Sequence, residues 1–206
     1  MKILFLNGSP RSSASTSETL INALRQRLGD DHEYITCRAI EIDKRVFLEE
    51  IKSARMAIIV FPLYVDGLPS HLLRLLYESK DEIKRVNSAL LVYAIANNGF
   101  YEGKQNDLAL CMIHHFCLSA AVKLGQGLGI GAGEMIDAAL LGKGPLKSIG
   151  FALDALAANI LGNISGDNYY VQPDFPKVLY KLAAHFNWRR MAKRNGIRRK
   201  GIYRRQ

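Results

Sequence analysis

The residues best suited to chemistry lie in the polar loop Asn7–Thr16, which follows a short apolar segment at the start of the chain. The loop combines short hydroxyl side chains with one arginine and leads directly into a predicted helix. Free N–H groups at a helix N-terminus and a guanidinium are the donors that a phosphate needs. An ordinary serine-rich helix cap is the alternative for this loop taken alone. The predicted phosphate ligands are Ser9, Arg11, Ser13, Ser15 and Thr16.

Motifs that are absent narrow the choice of ligand. The first loop has neither the GxxxxGKS/T pattern of nucleoside triphosphate sites nor the GxGxxG dinucleotide fingerprint. Gly127–Ala132 formally fits GxGxxA, but we interpret it as a last strand with a tight loop that brings Glu134 toward a ligand or a partner subunit. No GxSxG serine hydrolase motif is present, and the five histidines lack metal-ligand spacing. The three cysteines suit buried positions in a reducing compartment.

Two further loops follow predicted strands and carry candidate binding residues. Pro62–Pro69 is apolar and contains an aromatic residue, a composition suited to covering a flat ring. Asn97–Tyr101 offers amide side chains and main-chain N–H groups. The alternatives are that Tyr64 anchors its loop at the surface and that the Asn-Asn-Gly sequence forms a turn with positive φ. The candidates in these two loops are Pro62, Leu63, Tyr64, Val65, Asn97, Asn98, Gly99 and Phe100.

Together, the three loops resemble those of the flavodoxin-fold NAD(P)H-dependent FMN reductases and the multimeric flavodoxin-like oxidoreductases. Gly8-Ser9-Pro10-Arg11 with Thr16 is similar to the family's GSPR-x-x-x-x-T segment. Pro62-Leu63-Tyr64 is similar to a Pro-x-Tyr segment that borders the isoalloxazine ring, and Asn98–Glu102 to an Asn-Gly-Phe-Tyr-Glu segment.

This resemblance implies FMN as cofactor and NAD(P)H as hydride donor, with a quinone, an azo or nitro compound, or free flavin as acceptor. It implies contacts to the flavin from Pro62–Val65 and Asn97–Phe100, and a homodimer or homotetramer. No catalytic side chain is expected, because the flavin carries the chemistry. One alternative is a flavodoxin-like electron-transfer protein without pyridine-nucleotide activity, although the Thr-Gly-x-Thr loop usual in that class is absent. Another is a non-enzymatic binding protein that uses the basic C-terminal segment.

Hydrophobic patterns predict a doubly wound α/β fold around a five-stranded parallel sheet in the flavodoxin-like order 2-1-3-4-5. Ligands bind such sheets at the carboxyl ends of the strands, where all three loops begin. The predicted strands are Lys2–Leu6, Glu33–Arg38, Met56–Phe61, Ala89–Ala96 and one within Gly125–Gly133. The predicted helices are Ser17–Leu28, Val46–Ala54, Pro69–Ser79, Lys104–Leu124, Glu134–Leu141, Leu146–Leu161 and Asp174–Asn195, the last capped by Asp174, and Tyr169–Gln172 is predicted to be extended.

The positive charge is concentrated at the end of the chain. The 206 residues carry a net charge of +9, yet residues 1–176 hold 17 basic and 19 acidic residues, and Lys177–Gln206 holds eleven basic residues and no acidic one. We therefore predict an FMN-binding domain over residues 1–173 and a basic helix with its tail over residues 174–206. A docked helix with a solvated basic face is preferred over a dimer-building arm or a patch for anionic membranes or nucleic acid.

The sequence also bears on partners and location. No base-reading motif is present, so no specific nucleic-acid partner is expected. No apolar run approaches the ~18 residues that a transmembrane segment needs. A signal peptide is not recognisable at the start of the chain, and we expect a cytoplasmic protein.

Overall fold

A six-stranded parallel sheet organises the computed structural model, which describes residues 1–11, 15–137 and 139–197. The strand order is β2-β1-β3-β4-β5-β6, so the predicted order 2-1-3-4-5 is confirmed and one edge strand is added. The strands are β1 Lys2–Asn7, β2 Glu33–Arg38, β3 Met56–Pro62, β4 Leu91–Asn97, β5 Lys123–Ile130 and β6 Tyr169–Val171. The helices are α1 Thr16–Leu28, α2 Lys44–Ser53, α3 Ser70–Val86, α4 Asp107–Ser119, α5 Lys147–Leu161 and α6 Lys177–Arg194.

Two hydrophobic cores lie on opposite faces of the sheet. Ile3 and Phe5 of β1 pack into the core that contains α1 and α5, whereas Leu4 and Leu6 pack into the core with α2, α3 and α4. Successive residues of a strand point to opposite faces, so a strand covered on both sides must be apolar at every position. This is why the unbroken apolar run of β3 correctly predicts a central strand.

Several predicted helices have different bounds in the structure. The helix predicted over Pro69–Ser79 continues to Val86, and the one predicted over Val46–Ala54 begins at Lys44. The helix predicted over Lys104–Leu124 ends at Ser119, since Ala121 has a φ of 50°, and Lys123 and Leu124 already belong to β5. The helix predicted over Glu134–Leu141 is reduced to a 3₁₀ turn at Gly133–Met135. The final helix begins at Lys177 with Pro176 as its N-cap, so the assignment of Asp174 as the cap is wrong.

The glycine-rich stretch lies mostly inside β5, with Gly131–Gly133 directly after the strand, and it does not lead into an α-helix. A Cβ on Gly129 would lie 2.8 Å from Cδ1 of Tyr170 on β6, and one on Gly127 would lie 2.5 Å from Oδ1 of Asn168. These glycines therefore permit close packing of β5 against its neighbours. The formal GxGxxA match is not a pyrophosphate-binding turn.

Contacts divide the chain into two compact units, Met1–Pro173 and Asp174–Gln206. The described part of the second unit contains α6, which has six basic residues and no acidic one. Its exposed large apolar side chains are Val178, Leu179, Leu182, Phe186, Trp188 and Met191. Within the described ranges, none of the helices is both long enough and apolar enough to cross a membrane.

Gly103, between β4 and α4, also packs closely against the backbone of β5 and β6, so its substitution tests the close packing at this edge of the sheet. A Cβ there would lie 2.6 Å from the carbonyl oxygen of Gly129 and 2.8 Å from the main-chain nitrogen of Val171. Because these are backbone atoms of β5 and β6, we expect Gly103→Ala to lower the free energy of unfolding by ~3 kcal/mol in a denaturant titration.

The matched control is Gly99→Ala. Its Cβ would have one neighbour, Oε1 of Glu134 at 3.8 Å. We expect this variant to be as stable as the parent protein, and equal stability of the two variants would contradict the packing described for Gly103.

Candidate functional site

The first loop, residues 7–16, is shaped by side chains that accept hydrogen bonds from its own backbone. The Ser9 N–H donates to Oδ1 of Asn7 at 2.9 Å, and the Arg11 N–H donates to Oγ of Ser9 at 3.3 Å. Ser15 is the N-cap of α1, where its Oγ accepts from the Glu18 N–H at 3.2 Å. Ser9 and Ser15 are buried and Arg11 is exposed, whereas the predicted ligand Ser13 lies outside the described residues.

The start of α1 retains the features of an anion site. The first backbone bond of the helix runs from the Thr19 N–H to the Ser15 carbonyl, so the N–H groups of Thr16 and Ser17 precede the helical ladder. The aligned peptide dipoles place a partial positive charge at this end. This helix end, together with the exposed Arg11, can therefore receive a phosphate.

Gly8 fixes the first loop against the rest of the sheet. Its N–H donates to the Val60 carbonyl at 2.8 Å, and a Cβ would lie 2.7 Å from Cδ2 of Leu72. Nε2 of His71, in the first turn of α3, lies 3.1 Å from the Gly8 carbonyl oxygen. Burial lowers the pKa of His71, and the bond to Gly8 opposes that shift. Because the Gly8 carbonyl can only accept, Nε2 of His71 carries a proton in this bond.

The second loop, residues 62–69, turns through a two-residue hairpin. Tyr64 and Gly67 exchange two backbone hydrogen bonds of 3.0 Å, with φ values of 48° at Val65 and 60° at Asp66. Leu63 donates its N–H to the Asn97 carbonyl at 2.7 Å. The Tyr64 side chain is 44% exposed and Val65 fully exposed, so the tip presents apolar groups outward.

The third loop, residues 97–101, has buried amides and an exposed ring. Nδ2 of Asn97 donates to the Phe61 carbonyl at 3.0 Å and to Oγ of Ser17 at 3.3 Å. Asn98 donates to the Glu102 carbonyl at 3.2 Å, and its buried Oδ1 has no partner within the described residues. Phe100 is exposed. The Asn97 side chain thus joins the third loop to the end of β3 and to α1, while Phe100 is exposed.

A fourth loop, residues 131–137, completes the site and was largely missed by sequence reasoning. The Gly133 N–H donates to the Asn98 carbonyl at 2.7 Å, and a Cβ on Gly99 would approach the Glu134 carboxylate. At its other end, the Asp137 carboxylate accepts hydrogen bonds from hydroxyls of α1. The predicted approach of Glu134 to a ligand or a partner subunit stays a prediction. The sequence carried no signal for Asp137, which lies 121 residues from its partner Thr16.

A polar cluster supports the third loop from the outer edge of the sheet. The Tyr170 hydroxyl donates to the Asp107 carboxylate, and Nζ of Lys104 lies 3.1 Å from Oδ1 of Asp107. Burial, followed by the bond to Asp107, raises the pKa of Tyr170 to about 12. Tyr170 therefore remains a donor at neutral pH and ties the start of α4 to β6.

Comparison with known proteins identifies the fold. No protein-family model matches the sequence, and no curated protein is significantly similar to it. An NADH:FMN oxidoreductase in its apo form superposes with a TM-score of 0.63 at 15% identity, covering 80% of this chain and 90% of that one. An azoreductase from Bacillus anthracis gives 0.54 at 12% identity, covering 79% and 99%. The fold is flavodoxin-like.

Flavodoxins themselves show the same likeness. A point mutant of the flavodoxin from Pseudomonas aeruginosa gives a TM-score of 0.53 at 17% identity, covering 79% of this chain and 100% of that one. The predicted flavodoxin-like fold is thereby confirmed. The first three loops begin at the carboxyl ends of β1, β3 and β4, the edge at which doubly wound sheets bind ligands.

The hairpin tip of the second loop carries strain that can be measured. A β-branched residue in the left-handed region is unfavourable, and Val65 is fully exposed, so its side chain makes no compensating contact. We expect Val65→Asn to raise the free energy of unfolding by ~1 kcal/mol, because Asn tolerates this conformation.

The control is Val46→Asn, at an exposed position of α2 where the two residues have similar helix propensity. It is expected to leave the unfolding midpoint in place. A destabilised V65N protein would show that the tip does not adopt the described turn.

Proposed function

We propose that the chain is an FMN-dependent oxidoreductase that uses NAD(P)H. The observation that carries the proposal is the set of hydrogen bonds of Asn97, which joins the third loop to the second loop, to β3 and to α1 at the carboxyl edge of a flavodoxin-like sheet. The likeness to an NADH:FMN oxidoreductase and an azoreductase supports it at the level of fold.

The donor set and the shape of the site suit FMN. Its phosphate would be held by the first turn of α1 and by Arg11, where N–H groups precede the helical ladder. Its ring would lie between the second and third loops, beside Tyr64 and Phe100. Gly99 favours a close approach of the ring because the space beside it is open. Among the described residues, a Cβ added there would meet Oε1 of Glu134 at 3.8 Å and no other atom within 4 Å.

In this proposal, the protein's own residues bind the flavin and hold it in position. Tyr64, Val65 and Phe100 supply exposed apolar surface that would cover the ring and exclude water from it. The chemistry supplied by bound FMN is electron transfer from NAD(P)H to an acceptor such as a quinone, an azo or nitro compound, or free flavin. No side chain of the chain is assigned an acid or base role.

Titration of the purified protein with FMN tests the proposal. We expect binding, seen as a change in flavin fluorescence, and loss of the visible flavin absorbance when NADPH or NADH is added without oxygen. Protein that fails to bind FMN would overturn the proposal. Bound FMN that is reduced by a chemical reductant but not by either nucleotide would favour the electron-transfer alternative.

Gly99→Leu tests the position of the ring. The added side chain would project into the space assigned to the flavin, so we expect the Kd for FMN to rise by roughly tenfold or more, which corresponds to ~1.4 kcal/mol. The smaller Gly99→Ala change should cost less affinity. Unfolding measurements on both variants separate this loss from damage to the fold, and unchanged FMN affinity in a folded G99L protein would contradict the assigned ring position.

A further inference from the structure

The carboxylate of Asp137 lies against the first turn of α1. Its Oδ2 accepts from the Thr16 hydroxyl at 2.9 Å, and its Oδ1 accepts from the Thr19 hydroxyl at 3.0 Å. Thr16 and Thr19 are three positions apart on the helix and so lie on one face. Both carboxylate oxygens are therefore engaged at the helix end that the proposed function assigns to the phosphate.

The loop that carries Asp137 is anchored on the N-terminal side of this contact. Ile136, the preceding residue, is buried in the core that contains α1 and α5. Farther back, the Gly133 N–H donates to the Asn98 carbonyl. The position of the carboxylate thus follows from packing and backbone bonds, and does not depend on its own two hydrogen bonds alone.

The charge of Asp137 is not neutralised by a neighbour. Across residues 1–11, 15–137 and 139–197, no lysine, arginine or histidine forms a salt bridge with it. A negative charge at a helix N-terminus is stabilised by the helix dipole, so Asp137 acts as a resident anion there. A phosphate entering the same helix end would be repelled by this carboxylate and would have to compete with it for the hydroxyls.

We propose that Asp137 is a specificity-determining residue that lowers the preference of the site for phosphate-bearing flavin. The inference rests on the proposed function, because it concerns the same flavin site. Riboflavin has the same ring system as FMN but no phosphate, so Asp137 affects its affinity far less. The quantity set by Asp137 is the ratio of the Kd for riboflavin to the Kd for FMN.

Asp137→Asn tests the inference, since it removes the charge and keeps the shape of the side chain, while one of the two oxygens that accept from threonine hydroxyls becomes an NH2 donor. We expect the Kd ratio to rise by about three- to tenfold in low salt, and the difference from the parent protein to shrink near 1 M salt, where charges a few ångströms apart are screened. The control is Asp31→Asn, which removes one exposed charge in the turn before β2, at the opposite end of the strands, and should leave the ratio unchanged.

A double-mutant cycle with Thr16→Val adds a second readout. In the parent protein, the Thr16 hydroxyl is engaged by Asp137, so T16V should change FMN affinity little. In the D137N background the hydroxyl is released to the phosphate, and T16V should then cost affinity for FMN and none for riboflavin.

The outcomes separate the two proposals. If FMN binds both the parent protein and D137N with the same Kd ratio, the inference is overturned and the proposed function stands. If neither flavin binds either protein, while both unfold cooperatively, the proposed function fails and the inference fails with it.

Discussion

The buried side-chain amide of Asn97 is the interaction on which the candidate site depends. Its Nδ2 binds the last residue but one of β3 and a hydroxyl of α1, while its main-chain carbonyl accepts from Leu63 in the second loop. Leaving a buried polar group without its partner costs ~1–3 kcal/mol, so alternative arrangements of these loops are unfavourable. This one residue at the end of β4 thereby fixes the third loop relative to the second loop, β3 and α1.

The buried side chains of the candidate site are polar and hold its loops in place, whereas large side chains at the loop tips are apolar and exposed. Asn7, Ser9 and Ser15 accept bonds from backbone N–H groups of the first loop and of α1. Tyr64 and Phe100 leave apolar surface exposed at the tips of the other two loops. A helix N-terminus and exposed aromatic groups at the same edge of the sheet are the features that the proposed function assigns to the phosphate and the ring of FMN.

Sequence patterns predicted the parts of the structure that depend on local composition. The apolar run Met56–Phe61 could only be buried on both faces, and the three loops were located at the ends of such apolar runs.

Sequence patterns failed where pairing between distant segments decided the structure. Lys123 and Leu124 continue an apolar helical pattern, yet pairing with β4 places them in β5. Residues 134–141 contain no Gly or Pro, yet Gly133 bonds to the third loop, and among the described residues of this stretch Glu134 and Met135 alone belong to a helical turn, of the 3₁₀ type. Contacts such as that of Asp137 with Thr16 join distant parts of the chain, and no local spacing encodes them.

The fourth loop also changes the electrostatic character of the site. From its sequence, the first loop looks purely cationic, since Arg11 is its one charged residue. The fold adds Glu134 beside Gly99 and Asp137 against Thr16, so two carboxylates border the same edge of the sheet. On the proposed function, the affinity of the site for an anion depends on the balance between the N-terminus of α1, Arg11 and these two carboxylates.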